Sequence, residues 1–384
     1  MKIIIEGCLM KKSIAIIVST PLTINSFMLG HIRELTKLYK VTVIANENLG
    51  ILSDSIGVNF IHLPMKREIS LVNDFVCTIK LINIIANGKF DAVHTITPKA
   101  ALCGMVSSFI CRSKHRFHTF TGQVWVTRTG LFRKLLILID KFIFMLTSHA
   151  LIDSPSQKKF LLSHDIVTDK GSTVLGQGSI SGVDVSKFKY SETEKVKIRK
   201  KFLIPQDAFV YLFLGRLCKD KGIDELLEAF NLKNKSGTEA YLLLVGPNES
   251  DYDDVFFNGL NNDKIIVVGH TSSPNQYFSA SDVLVLPSYR EGFGTTVLEA
   301  AANGIPTIAS DIYGLSDAVV DNETGLLHEV KNVYELSEHM SRLEEDRNLT
   351  KTLGEQAKER VNICFSSDYL TSELVNFYKE KVGV

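Results

Sequence analysis

The sequence predicts an α/β protein of two successive domains, each a parallel sheet doubly wound by helices. Three observations predict it. Short apolar runs alternate with helix-length segments along the whole chain, the pattern of strands joined by crossover helices. At 384 residues the chain can hold two cores of ordinary size. A stretch rich in Gly and Ser and then in charge, GQGSISGVDVSKFKYSETEKVKIRKKF, breaks the alternation and puts a boundary near 185–190.

Taken in order, the strands of the first half are IAIIVST (14–20), VTVIAN (41–46), VNFIHLP (58–64), AVHTITP (92–98), RFHTFTG (116–122) and ALIDSP (150–155). Those of the second are FVYLFLG (209–215), YLLLVG (241–246), KIIVVG (264–269), DVLVLPS (282–288) and TIASD (307–311). The amphipathic DYLTSELVNFYKEKV (368–382) predicts a closing helix. The expected units are therefore 1–187, 188–365 and a terminal helix in 366–384.

Hydrophobic content of 45% and charge of 22% are those of a soluble globular protein. Net charge is zero but uneven: residues 1–190 hold 23 Lys and Arg against 12 Asp and Glu, and the remainder 20 against 31. A basic first half suits phosphates or an anionic membrane, or is a solvated face without a partner; nucleic acid is not an expected partner. The six cysteines form no CxxC pair or even framework, which fits a reducing cytosol. No apolar run reaches the ~18 residues that span a bilayer. The opening residues are too interrupted for a signal peptide, and Met10 is an alternative start to Met1.

The ends of the second-half strands carry the chemistry. Apolar runs give way at Gly215-Arg216, Gly246-Pro247, Gly269-His270 and Pro287-Ser288. In a parallel sheet these ends share one edge, where open α/β sheets bind ligands. Arg216 and Lys221, five apart in GRLCKDKG, suit a diphosphate, or are surface cations around Asp220. The turn GFGTT offers free N–H groups at the start of a helix from about 296, a seat for phosphate. Glu291 and Glu299 flank it. Thr296-x-x-Glu299 also reads as a capping box, a purely structural role. Carboxylates on both sides of a phosphate seat point to hydroxyls on both sides, ribose at one end and sugar at the other. Such a ligand is a nucleotide sugar.

The E-x7-E spacing, the GR-x4-K pair, SDVLVLPSYREGFGTTVLEAAANGIPTIASD and the trailing NETGLL resemble the retaining glycosyltransferases of the GT-B group often called family 4. The likeness is strong over 170–365. VHTITPKAALCG and HTFTGQVW are similar to first-domain segments of capsule and O-antigen members. The resemblance implies two Rossmann-like domains facing across a cleft, acceptor on the first and donor on the second, with the terminal helix packing back on the first. It puts Arg216 and Lys221, at the end of Gly215, on the diphosphate and Glu299 on the ribose. Glu291 and the backbone of Gly292, Phe293 and Gly294 would hold the transferred sugar, Thr295 and Thr296 the phosphate, and His270 would lie near the base. Arg216, Lys221 and Glu291 are the expected catalytic residues.

The first domain departs from the family pattern. Where many relatives have histidine before the glycine of HTFTGQ, this chain has Thr121. His118 lies three positions earlier, on the opposite face of a period-2 strand, so Thr121, Gly122 and Gln123 are expected in the cleft and His118 in the core or behind them. Thr20, His94 and Lys99 follow strand ends on the same side.

DYDD (251–254) reads as an exposed acidic turn rather than a metal site; neither metal nor cofactor is expected. LFRKLLILIDKFIFMLTSHA (131–150) is either a core helix or, with Arg128, Arg133, Lys134 and Lys141, a peripheral membrane contact. The expected activity is retaining transfer of a UDP-linked hexose or N-acetylhexosamine to a glycan or polyprenyl-diphosphate-linked saccharide, at the cytoplasmic face of the membrane or in the cytoplasm. Two rivals stand, a nucleotide-sugar epimerase on the same scaffold and a non-catalytic nucleotide-sugar-binding subunit.

Overall fold

The computed structural model describes residues 11–47, 57–66, 70–234, 240–249, 252, 256–257 and 262–384. Among these residues the chain forms two sheets, every strand pair parallel, of seven and six strands. The first has the order β3-β2-β1-β4-β5-β6-β7, with β1 Ser13–Ile17, β2 Lys40–Ala45, β3 Asn59–His62, β4 Ala92–Thr95, β5 His115–Phe120, β6 His149–Ile152 and β7 Ser172–Val174. The second has the order β10-β9-β8-β11-β12-β13, with β8 Phe209–Leu214, β9 Ala240–Val245, β10 Ile265–Gly269, β11 Val283–Leu286, β12 Thr307–Ser310 and β13 Gly325–His328. Both are Rossmann-like. Every predicted strand is present, with its bounds shifted by one to three residues. β7 and β13 were not expected, because each is a three- or four-residue edge strand with no apolar run.

In the first domain the described connections include α1 Leu29–Leu38, α2 Leu71–Gly88, α3 Pro98–Ile110, α4 Gly130–Leu146 and α5 Pro155–Ser163. Pro98 and Pro155 open α3 and α5, where a missing N–H costs nothing. Helices α2 to α5 bury one stripe each on one sheet face, with Cys77, Leu81, Met105, Ile143 and Leu161 in the core. In the second domain the helices are α6 Glu192–Lys201, α7 Ile223–Asn234, α8 Asn275–Ala280, α9 Thr295–Ala302, α10 Leu315–Ala318, α11 Val333–Glu345 and α12 Arg347–Cys364. They cover a sheet whose strands are apolar on both sides, as in Tyr211–Phe213 and Leu242–Val245.

The last helix, α13 Ser367–Lys381, leaves the second domain and lies against α1 of the first. The two passages of chain between domains run side by side. Val183 N–H donates to Phe365 O at 2.9 Å, and Ser367 N–H donates to Val183 O at 2.9 Å. Leu374, Phe377 and Tyr378 of α13 are buried in the first domain's core. Two histidines of that core anchor the helix. His31 Nδ1 meets Thr371 Oγ1 at 2.8 Å, and His94 Nδ1 meets Tyr378 Oη at 2.7 Å while its Nε2 meets Thr119 Oγ1 at 2.8 Å.

His94 is thus corrected from a cleft residue to a core one: it is 1% exposed and both ring nitrogens are engaged. Burial pushes its pKa down to about 3, so it stays neutral. Replacing Tyr378 by Phe leaves a buried ring nitrogen unpaired and should cost ~1–3 kcal/mol, read as a lowered denaturant midpoint with an unchanged slope.

Candidate functional site

The three strands β8, β9 and β10 end in step. Gly215 N–H donates to Val245 O at 2.9 Å, and Gly246 N–H to Gly269 O at 2.8 Å. Arg216 therefore leaves the same sheet edge as His270, which stands exposed beyond the edge strand β10. The turn at 219–222 docks on the segment after β11, with Tyr289 N–H donating to Asp220 O at 2.9 Å. This brings Lys221 onto Glu291 as an ion pair, and Ser288 Oγ–H donates to the same carboxylate oxygen at 3.1 Å. Both partners are largely buried. Arg216 is half exposed and pairs with Glu249.

These pairings differ from the sequence expectation. It gave Lys221 to diphosphate and Glu291 to sugar as separate groups; the fold joins them, so a diphosphate that reaches Lys221 must share it with Glu291. Glu249 was not foreseen at all. It is carried to Arg216 by a short pairing of Leu217 with the 247–249 segment, whose Glu249 N–H donates to Leu217 O at 3.1 Å.

Helix α9 begins one residue earlier than expected. Gly294 is its N-cap, in the left-handed region at φ 81°, a conformation that a side chain resists. The predicted capping box is absent: Thr296 is inside the first turn and no side chain caps the helix. Val297 N–H donates to Gly294 O at 2.8 Å, while the N–H groups of Thr295 and Thr296 have no acceptor among the described residues. One turn on, the half-buried Glu299 carboxylate has neither hydrogen bond nor ion pair among the described residues. Burial pushes its pKa up to about 7, against the pull of Lys187.

Across from these groups the first domain approaches by bare backbone. A Cβ on Gly122 would lie 2.9 Å from Gly292 N, and one on Gly292 would lie 2.7 Å from Asp153 Oδ2. No side chain fits between the strands' ends. Around this contact Gln123 N–H donates to Tyr313 Oη at 3.2 Å, Ser156 N–H to Asp317 Oδ2 at 2.9 Å, and Gly314 N–H to Ser156 Oγ at 2.9 Å. Phe160 and Tyr313 stack at 4.7 Å between ring centres. Phe293 is turned away, packed on Phe365, so its contribution to the cleft is its backbone.

The other first-domain candidates are placed as follows. Thr121, Gly122 and Gln123 line a cavity of about 70 Å³ with His118 and Trp125. The opposite-face argument about His118 fails because β5 stops at Phe120 and period-2 alternation does not extend to Thr121. His118 is nonetheless a core residue, bonded to Thr95 O at 3.0 Å and held neutral with its pKa down to about 4 by burial. Lys99 is paired with Asp74 at 2.7 Å at the start of α3. Thr20 closes the turn after β1, its carbonyl accepting Thr23 N–H at 3.2 Å.

Asp153, like Glu249, is a residue that sequence reasoning missed. It follows β6 directly, is 5% exposed, and its Oδ1 has no hydrogen-bond partner. Burial, with the charge of Glu291 added, pushes its pKa up to about 7. The signal was one acid at the end of the apolar run ALID. Asp251, Asp253 and Asp254 of the DYDD turn lie outside the described residues, and among the described residues no three His, Cys, Asp or Glu gather as a metal site.

Comparison with known proteins decides the family. Residues 194–360 match the model of glycosyl transferases group 1. The chain is 32% identical over 320 residues to the capsular polysaccharide biosynthesis glycosyltransferase CapM of Staphylococcus aureus, covering 82% of this chain and 83% of that one. The chain belongs to the group 1 glycosyl transferases. It is also 26% identical over 303 residues, 77% of each chain, to the Escherichia coli UDP-Gal:alpha-D-GlcNAc-diphosphoundecaprenol alpha-1,3-galactosyltransferase. Among solved structures, Anabaena HepE in complex with UDP-glucose superposes with a TM-score of 0.79 at 16% identity, over 96% of this chain and 99% of that one. Such neighbours give this glycosyltransferase its GT-B architecture.

Two outcomes test the site. Gly292→Ala should separate the facing strand ends and lower turnover about 100-fold, the scale of a roughly 1 Å misplacement, with little change in melting temperature. A ligand whose vicinal hydroxyls pair with Glu299 should bind more weakly as pH falls from 8 to 6, because a two-oxygen contact needs the carboxylate, whose pKa burial raises to about 7; in Glu299→Gln, calorimetry should show that component of the pH dependence removed.

Proposed function

We propose that this glycosyltransferase acts in surface polysaccharide assembly, moving a sugar from a UDP-linked donor to a lipid-linked saccharide with retention of configuration. The observation that carries the reading is Glu299, a desolvated carboxylate without a partner, one turn behind free N–H groups at the start of α9. A vicinal diol of ribose satisfies the first, and a diphosphate the second. The E. coli relative's action on GlcNAc-diphosphoundecaprenol supports the acceptor class, and the S. aureus relative's part in capsular polysaccharide biosynthesis supports the setting.

In this reading Lys221 and Arg216 stabilise negative charge as the sugar C1–O bond to the diphosphate breaks. The acceptor oxygen forms its bond to C1 on the same face, and its proton passes to the departing phosphate oxygen. Glu291 positions Lys221 and accepts from the transferred sugar. Thr121 meets the acceptor where Gly122 touches the donor loop; Gln123, expected beside it, is instead buried, donating its amide N–H to Thr121 O and accepting from Gln157, and so positions that loop. No metal or cofactor takes part in this proposal, since two cations and a helix N-terminus supply the positive charge.

The test combines the purified chain with UDP-sugars and membrane lipid extract. Release of UDP together with a lipid-linked product of one added sugar supports the reading, and an isomerised donor without acceptor would refute it in favour of an epimerase. Lys221→Ala should lower turnover roughly 10- to 100-fold, measured as UDP release.

A further inference from the structure

From the geometry of the first domain we infer that α2 and α4 form a docking face for an anionic lipid surface, set beside the mouth of the cleft. This deepens the proposed function and rests on it for the lipid-linked acceptor. The face is apolar where solvent should meet it. On α4, Leu131, Leu135, Leu138, Phe142 and Met145 recur at spacings of four and three and form one outward stripe, between 40% exposed at Phe142 and 84% at Leu131. On α2, Leu71, Val72 and Phe75 are 81%, 78% and 68% exposed. Helix α3 runs between the two and fills the gap with the half-buried Leu102 and Val106. An exposed patch of this kind marks an interaction surface.

Charge selects the occupant. Each of the two helices has one acidic residue, and both are engaged: Asp74 pairs with Lys99 at 2.7 Å, and Asp140 accepts Trp125 Nε1–H at 2.8 Å. Lys80, Arg128, Lys134 and Lys141 have no ion pair among the described residues, and Lys134 and Lys141 fall along one border of the α4 stripe. An apolar stripe bordered by unpaired cations is complementary to acyl chains beneath anionic headgroups. A second copy of the chain would set these cations against themselves.

Position supplies the function. In a parallel sheet each helix starts at the edge where the strands end. Leu71 and Leu131 are therefore at the cleft end of their helices, close in sequence to Gly122–Gln123 in the case of α4. Helix α2 is apolar and long enough to cross a membrane, but Cys77, Leu81 and Ile85 are buried against the sheet, so it lies along the domain instead. A saccharide on a lipid diphosphate would then rise from the membrane at the cleft rim.

The experiment sediments the full chain with vesicles rich in phosphatidylglycerol and with vesicles of phosphatidylcholine alone. Co-sedimentation with the anionic vesicles, weakened by salt, is expected. Lys134→Ala/Lys141→Ala and Leu131→Ser/Leu135→Ser should each lower vesicle partition by about ten-fold or more, while UDP still raises the melting temperature of both as in the parent chain. No sedimentation, sedimentation indifferent to these variants, or a dimer in solution that Leu131→Ser/Leu135→Ser dissolves, would overturn the inference. Vesicle binding without transfer to lipid-linked acceptors would refute the proposed function and leave the docking face standing.

Discussion

Everything at the cleft depends on two loops, the one after β5 and the one after β11, meeting backbone to backbone. Gly122 and Gly292 touch at a distance that excludes even a methyl group, so the strand ends of one domain form a wall of the other domain's site. The polar contacts around them, Gln123 to Tyr313 and Ser156 to Asp317 and Gly314, hold that registration. Whatever binds the loop 291–294 is therefore within reach of Thr121 and Asp153 as well. A site assembled this way needs few side chains, since shape and main-chain dipoles do much of the positioning.

Electrostatics in the cleft are arranged in opposed pairs. Lys221 and Arg216 are each matched by a carboxylate, which fixes where their charge sits. Glu299 and Asp153 have no ion-pair partner among the described residues, and burial raises the pKa of each to about 7. An anion entering this cleft would meet compensated cations and partly charged acids, with less repulsion than four free carboxylates would exert. The first domain handles its buried bases differently, keeping His94 and His118 neutral inside hydrogen bonds.

Much of this was legible in the sequence, for identifiable reasons. Buried parallel strands are long apolar runs, so the predicted strands fell in place, and the strand-ending glycines disclosed the shared edge. The edge strands β7 and β13 were silent because three or four residues carry no period. Thr296 looked like a helix cap because sequence cannot reveal that Gly294 takes a left-handed conformation. The partners of Lys221 and His94 depend on contacts 70 and 284 positions away, and no local pattern encodes them. Asp153 was hidden for the same reason: only the approach of Gly292 makes an ordinary strand-end acid significant.

The doubled crossing between the domains has a mechanical consequence. The segment at Val183 and the one at Phe365–Ser367 are bonded to each other, not merely parallel, and beyond them α13 is clamped to α1. Two tethers fastened together at one point resist twisting and sliding far more than bending. Phe293 packs on Phe365 beside that crossing, so the loop 291–294 and its contact with Gly122 lie close to the place where the domains are fastened, where any swing of one domain against the other would displace them least.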